Sequence, residues 1–561
     1  MSGRRLPAGA GRRVPGRLAR HASIGTRASR VELALLASLV AWGVFPLVAL
    51  IDHAIHTHAT LTGADGLIGA DGVLGADQLQ YLAWARDAGT HGLASDLFSL
   101  APSGHVYLEP LFTITGVLWR LGLSLQVAYL LWKPVAAVAL FIATLALAKR
   151  MFDDDLRARA AAVALALFLY TPVTALVSWA KLGAGPFRFQ MYLLGYELLP
   201  ANKLWGYVPS ALGLAMVPVV LLGTERALNA ARPTTGALGR PDPIGVRRPL
   251  ALATLAALLA ALLHPWQGAT LLVILAGLAL WQRLRGWLVL LAPAVGAGLP
   301  LLYYLVLSRS DPAWRLAAHN EVIARLPALV LLAGLGPLAP IAAYGVRRPD
   351  AVVIERALLL WIFGCFVTYF TVNSFAPHAL QGLSLPFAVL AVRGWRRLRP
   401  PALLGALAIA LVTLPGLAYD ARKFIDVARG HAVQYYLTSS DARALAWVAA
   451  RAPGGGVLAP TPFAAVVPSQ TGRAVWVGHG YWSPDYAARA RIVDSLFGAR
   501  LRRASARSFV LGTGATVLIS DCAHGANLTG RLRPLLASVH RFGCARVYVL
   551  RRAAPGRSTS R

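Results

Sequence analysis

Residues 63–78 read GADGLIGADGVLGADQ, three copies of Gly-Ala-Asp at a spacing of six that put Asp65, Asp71 and Asp77 in register. A metal-binding repeat, a catalytic acid cluster and a duplicated linker all fit such a triplet. The choice turns on which side of a membrane the stretch lies, and that same question fixes the architecture of the chain.

Of the 561 residues, 57% are hydrophobic and 14% charged, a balance that argues against a soluble globular protein and for a polytopic membrane protein. A formal net charge of +31 would suggest nucleic acid in a soluble chain. Here the basic residues cluster in short runs between apolar segments, so charge reports topology and a nucleic-acid partner is not expected. Residues 1–30 carry eight arginines and no acid, with the first apolar run starting at Val31. This reads as a disordered cytoplasmic tail ahead of a membrane anchor rather than a cleavable signal peptide.

Spans of about 20 apolar residues fall at 31–51, 126–148, 160–178, 206–223, 250–263, 266–282, 287–307, 326–345, 357–374, 381–393 and 401–418, about 11 transmembrane helices. The pair around His264-Pro265-Trp266 reads as one broken helix or two, and Val106 to Gly122 is apolar enough to be miscounted. If that segment lies along the outer surface, the loops on one side hold 26 Lys and Arg and the opposite loops hold 7. The asymmetry places the N-terminus in the cytoplasm and everything from Tyr419 onward outside.

The expected organisation is therefore a cytoplasmic tail (1–30), a transmembrane domain (31–418) with an outer loop at 52–125, a small extracytoplasmic α/β domain (419–552) and a disordered basic tail (553–561). In the α/β part, helical stretches at Ser440 to Arg451 and Asp485 to Leu501 alternate with strand-like GVLAP, AVWVG, TVLIS and ARVYVL. Cys522 and Cys544 can pair in a disulfide if this part is outside, and Cys365 reads as a small core residue.

The aspartate triplet then sits in the first outer loop. Seven of the chain's 24 acids fall between Asp52 and Glu109, with Arg86 the sole Lys or Arg among them. A calcium site needs more carboxylate and carbonyl ligands than this repeat offers. Asp65 and Asp71, each followed by Gly, read as a slipped, duplicated surface loop. Asp77 precedes QLQYLAWARDAG, which has helical spacing, so it is expected as the N-cap of a short amphipathic helix on the outer face. A carboxylate held there is also placed to act as a general base.

An outer first loop with DQLQYLAWAR, a Pro-containing LEPLFTITGVLWRLG, a helix ending in LAKR, a late PHALQGLSLPFAVLAVRGW and an outer SQTGRAVWVGHGYWSPDYAAR together resemble the GT-C superfamily of integral membrane glycosyltransferases, in particular the polyprenyl-phosphate-sugar-dependent, mannosyltransferase-like enzymes. The resemblance covers most of the chain. It implies transfer of a sugar, with inversion, from a polyprenyl-phosphate donor to an envelope glycan, lipid or protein at the outer face of the plasma membrane. The first-loop acid would be the base, a role that comes to Asp77, with Glu109 as a second acid. The family's paired acids are absent because Gln78 follows Asp77, so a metal-bridged site is not indicated, although a divalent metal stays open, and no cofactor is expected, the lipid-phosphate sugar being a substrate.

A leaving phosphate needs cations or other donors on the same side. Tyr81, Arg188 (between Phe187 and Phe189), Lys203, His264 and His378 are the candidates for substrate binding, with Arg315 a further outer cation. Arg188 equally reads as an interfacial arginine of an aromatic belt, and each histidine as a structural residue at a helix boundary. VGHGYWSPDY offers His479, Tyr481, Trp482 and Asp485 for a sugar, or as a strand–loop–helix connection. Two other functions stay open at this level: a transporter or flippase of a lipid-linked glycan, which would show helix-buried charges and internal repeats, and an inactive scaffold.

Overall fold

The computed structural model describes residues 29–66, 73–231, 243–322, 325–346, 353–524 and 526–551. The basic tail expected at 1–30 is therefore described only from Ser29, and both the tail from Ala553 and Asp71 lie outside the described residues.

Seven helices are long and apolar enough to cross a membrane: Arg30–Thr57, Leu125–Phe152, Val208–Ala230, Gly245–Leu263, Trp287–Ser310, Val353–Thr371 and Ala402–Ala428. Two bent pairs raise the number to as many as nine, so this is a multi-pass membrane protein with fewer full-length spans, among the described residues, than the 11 read from hydropathy. Each expected span does fall on a helix. The difference arises at Pro265–Trp281 and Ser384–Leu398, whose 17 and 15 residues fall short.

Proline sets the breaks. Leu156–Phe168 and Pro172–Ala180 bend by 42° at an extended Leu169, with Pro172 opening the second helix. The Tyr170 N–H freed by the break donates instead to the Val412 carbonyl, 2.8 Å away, since an apolar surround offers it no water. At the HPW junction His264 takes the extended backbone (φ −155°, ψ 94°) that a following proline favours, and two separate helices result.

One end of the helices carries the basic loops, and four acids there pair with their arginines. Glu32 closes a capping box with Ser29 and pairs with Arg159 at 3.2 Å. Glu225 takes Arg150 in a two-pronged contact of 2.8 and 2.9 Å. Asp155 meets Arg396 at 2.8 Å and Glu355 meets Arg393 at 2.7 Å.

At the other end the first loop and the C-terminal part are knitted together. Thr60–Leu61 pairs antiparallel with Tyr436–Leu437, the Val475 N–H donates to the Leu97 carbonyl, and Arg86 donates to the Ser469 carbonyl. Beyond the last apolar helix, a four-stranded sheet runs in the spatial order Val457–Leu458, Val517–Ser520, Ala545–Leu550, Leu536–Phe542. The first pairing is parallel and the other two antiparallel. Helices Ser439–Arg451, Tyr486–Phe497 and Arg503–Thr513 accompany it, with Leu458, Phe497, Val510, Leu518 and Tyr548 in a small apolar core. Cys522 and Cys544 form a disulfide.

Two local expectations change. AVWVG makes only a single bridge, Val457 to Val475, and on its other side the Val475 N–H donates to the Leu97 carbonyl of the first loop. Leu536–Phe542, polar on alternate residues and unmarked in the sequence reading, is the longest strand. The segment Val106 to Gly122 holds an 11-residue helix, Pro110–Arg120, too short to cross.

Candidate active site

A cavity of about 540 Å³ opens at the end of the helices away from the paired basic loops. The same helices show the polarity: Val208–Ala230 brings Pro209 and Ser210 to the cavity and Glu225 to the basic end. Of the residues singled out from the sequence, Asp77, Tyr81, Glu109, Lys203, His264, His378, Tyr481 and Trp482 line it.

Asp77 sits inside the helix Val73–His91 rather than at its N-cap. Only Gly75 disfavours helix ahead of it, by about 1 kcal/mol, and the buried face of Leu79, Leu82, Ala83 and Trp84 offsets that cost. Its Oδ2 accepts from the Tyr207 hydroxyl at 2.9 Å, and its Oδ1 lies 3.0 Å from His479 Nε2. The tautomer of His479 follows from its other nitrogen. Nδ1 faces the Tyr481 N–H at 3.2 Å and must accept, so the proton is on Nε2 and is donated to Asp77. Ser483 holds this turn: its Oγ accepts from the Gly478 and His479 N–H groups and donates to the Phe98 carbonyl of the first loop.

The residue beside Asp77 has a structural task. Gln78 Oε1 accepts from the N–H groups of Asp65 and Gly66 at 2.7 and 2.6 Å, anchoring the turn where the first Gly-Ala-Asp lies. Asp65 is not a surface linker residue. It is buried and ion-paired with Lys133, which also donates to the Gly43 and Leu204 carbonyls.

Glu109 caps Pro110–Arg120: Oε2 accepts from the Phe112 N–H at 2.8 Å, while Oε1 is buried without a hydrogen-bond partner. Burial pushes its carboxyl up to about 8 against the pull of the Phe112 and Leu111 N–H groups, so it keeps its proton at neutral pH. Glu321, unmarked in the sequence reading, lines the same cavity; burial raises it too, although Ser374 donates to it at 2.8 Å.

Lys203 is not a free cation. It lies 2.9 Å from Glu197, which also meets His378 Nδ1 at 3.2 Å and Gln381 Nε2 at 2.6 Å. Burial would raise the Glu197 carboxyl, but Lys203 and His378 outweigh it and hold it below the usual carboxylate range. His264 is buried with both ring nitrogens unpartnered, and burial and His378 lower it well below the ordinary histidine value, leaving it neutral. Aromatic rings build one wall: Trp84 against Tyr107 at 4.7 Å, Tyr107 against Trp314 at 4.5 Å and Trp314 against Trp482 at 4.8 Å between centroids.

Arg188 does not join this site. With Lys181, Arg422 and Lys423 it lines a separate cavity of about 630 Å³ walled by Trp179, Phe189, Tyr192 and Tyr419. Arg315, too, is not among the residues lining the Asp77 cavity; it donates to the Arg309 carbonyl. Asp485 precedes Tyr486–Phe497 and is likewise not among the lining residues, unlike Tyr481 and Trp482. Of the residues the sequence reading missed, Glu197 had a signal: an acid inside the apolar run MYLLGYELLPA. Tyr107, Tyr207, Glu321 and the His479–Asp77 contact had none.

No protein-family model matches the sequence, and no curated protein matches it. Among solved structures, the fold is similar to ArnT from Cupriavidus metallidurans bound to undecaprenyl phosphate (13% identity over 93% of this chain and 98% of that one, TM-score 0.49). It is also similar to the oligosaccharyltransferase of Archaeoglobus fulgidus in the apo form (14%, 89% and 71%, 0.43). A third is AglB of the same organism in complex with an inhibitory peptide and a dolichol-phosphate (14%, 88% and 69%, 0.42).

Proposed function

We propose that the chain is an inverting membrane glycosyltransferase that moves a sugar from a polyprenyl-phosphate donor to an acceptor hydroxyl of the cell envelope, at the outer face of the plasma membrane. The observation that carries this reading is Asp77, its carboxylate oriented by two neutral donors, Tyr207 and His479, at the wall of an aromatic-lined cavity.

Asp77 takes the proton of the acceptor hydroxyl. The hydroxyl oxygen bonds to the anomeric carbon from the face opposite the phosphate, the bond from that carbon to the phosphate oxygen breaks, and polyprenyl phosphate leaves. Glu109 and His264 supply unpartnered polar atoms for the departing phosphate: a proton on Glu109 Oε1, and His264 beside the N-terminus of Pro265–Trp281, where backbone N–H groups favour an anion. Lys203 and His378 act through Glu197, holding the floor of the cavity. Tyr81 and the Trp84, Trp314 and Trp482 rings face the sugar.

The sidedness follows the charge of 26 against 7 Lys and Arg, with 11 crossings once the short and bent helices are counted and the C-terminal α/β part outside. Reporter fusions after Arg150 and Arg399 are expected to read cytoplasm and one after Leu550 outside.

The test uses membranes of a deletion strain complemented with wild type or Asp77→Asn, given that strain's own lipid-linked sugars as donor. Asn is nearly isosteric and leaves the helix intact, so loss of the base alone is read. The expected fall in rate is about 10²- to 10⁴-fold at equal protein level; undiminished transfer by a well-expressed Asp77→Asn protein would overturn the assignment.

A further inference from the structure

Outside the cavity, one group among the described residues brings three metal-ligating side chains to a point. Asp87, His91 and His105 each offer one ligand atom, and these atoms lie within 4.8 Å of one another. His91 Nδ1 lies 2.8 Å from Asp87 Oδ1 and His105 Nδ1 lies 3.1 Å from Asp87 Oδ2, with the two imidazole rings stacked at 3.9 Å.

We propose that Asp87, His91 and His105 form a binding site for a divalent transition-metal ion, zinc by donor set. Two imidazole nitrogens and a carboxylate suit zinc, and tetrahedral bonds of about 2.0–2.1 Å set ligand atoms about 3.3 Å apart. His91 Nδ1 lies 2.8 Å from Asp87 Oδ1, about half an ångström inside that spacing, and one ligand atom from each of the three residues lies within 4.8 Å of the others. The ligands come from places that hold them. Asp87 and His91 are four residues apart on the helix Val73–His91 and so share a face. His105 is delivered by the return of the loop, fixed by the Ala94–Tyr107 bridge.

The carboxylate is also oriented from behind. Asp87 is buried, and its Oδ2 accepts from both the N–H and the hydroxyl of Ser95 at 2.7 and 2.8 Å besides lying 3.1 Å from His105 Nδ1, so Oδ1, which meets only His91, is the oxygen that would face the metal. Such outer hydrogen bonds accompany metal-bound carboxylates. His91 and His105, at 46% and 38% side-chain exposure, leave the fourth position open to water. The ion would clip the end of the loop helix to the segment that carries Tyr107 and Glu109 into the cavity wall. It is a structural clip and takes no part in the transfer step, so its test stands or falls apart from the glycosyltransferase reading.

The experiment uses the full chain in detergent, purified without a polyhistidine tag, stripped with chelator and dialysed against zinc chloride, with bound metal measured by mass spectrometry and unfolding followed by heat. Wild type is expected to retain about one zinc that His91→Ala/His105→Ala loses. Zinc is expected to raise the midpoint of unfolding in wild type and not in that double variant, whose exposed side chains leave no hole in the core. Ser95→Ala is expected to weaken zinc binding about 10- to 100-fold. His431→Ala, which removes a histidine of the separate His53–His431 contact, is expected to keep the zinc. Equal zinc content in wild type and the double variant, or no shift in unfolding, would overturn the site and leave the group as histidines hydrogen-bonded to an aspartate.

Discussion

The Asp77 and Arg188 cavities handle charge in opposite ways. The Asp77 cavity is walled by aromatic rings and buried acids, and its Lys203 and His378 are both spent on Glu197. The Arg188 cavity gathers Lys181, Arg188, Arg422 and Lys423 with Asp426 as the acid in its lining, beside Trp179 and Phe189, which are themselves largely exposed. A cation in the sequence is therefore not a cation offered to substrate. Lys203 is locked into the fold, Arg188 faces a different opening, and the proposed chemistry at Asp77 proceeds through neutral donors. In a dry site a protonated carboxyl and a helix N-terminus stabilise a leaving phosphate without the desolvation cost of an unpaired ammonium.

The largest contrast lies in stability. Lys203→Met leaves Glu197 charged and buried with only His378 and Gln381, and is expected to cost about 3–5 kcal/mol. Folded yield in detergent should collapse, whereas Arg188→Met should leave it unchanged; comparable yields would break the distinction between the two cavities. Next, His479→Phe removes the donor that orients Asp77. Transfer is expected to slow about 10- to 100-fold, the worth of a hydrogen bond to a charged group, and His479→Gln, which can still donate, should recover much of it.

A pH profile reads Glu109. Because burial raises its carboxyl to about 8, the folded protein binds this proton more tightly than the unfolded chain. Its contribution to stability is full below the ordinary carboxyl range and is lost as pH rises toward 8. Transfer by the wild type should decline above about pH 8 as the donor proton leaves, and Glu109→Gln, a permanent neutral donor, should flatten that decline. An unchanged descending limb in Glu109→Gln would remove Glu109 from the step. The smallest effect is expected at the second cavity, where Arg188→Ala should change stability by less than about 0.5 kcal/mol, as surface substitutions do. A large loss of transfer in Arg188→Ala would mean that the two cavities are one functional unit.

How far the sequence reaches can be judged from particular residues. Apolar length placed the helices, because a spanning segment must satisfy its own backbone, and the basic loops sorted their ends. Glu109, His264 and His378 stood out as an acid and histidines beside proline in an apolar chain, and Asp77 as an acid ahead of a helical pattern, although it lies inside the helix and not at its N-cap. Their partners were not legible, since His378 reaches Glu197 across 181 positions and His479 reaches Asp77 across 402. The first contact joins the helix Gly185–Leu198 to the turn at Ala376–Leu380 and the second joins the first loop to the C-terminal part, and no local spacing encodes either. Asp65 shows the converse error. The glycine that follows it made it look like a linker, yet the Gln78 anchor and Lys133 bury it.

The central claim, that this chain transfers a sugar and does not move a lipid-linked glycan across the membrane, is tested most directly by profiling lipid-linked sugars and envelope glycan in a deletion strain, with the face of the membrane on which the lipid accumulates read by enzymatic accessibility. The account predicts one polyprenyl-phosphate sugar accumulating on the outer face together with an envelope glycan, lipid or protein lacking that sugar, both reversed by wild type and not by Asp77→Asn. Accumulation on the inner face, or an unchanged profile, would contradict it.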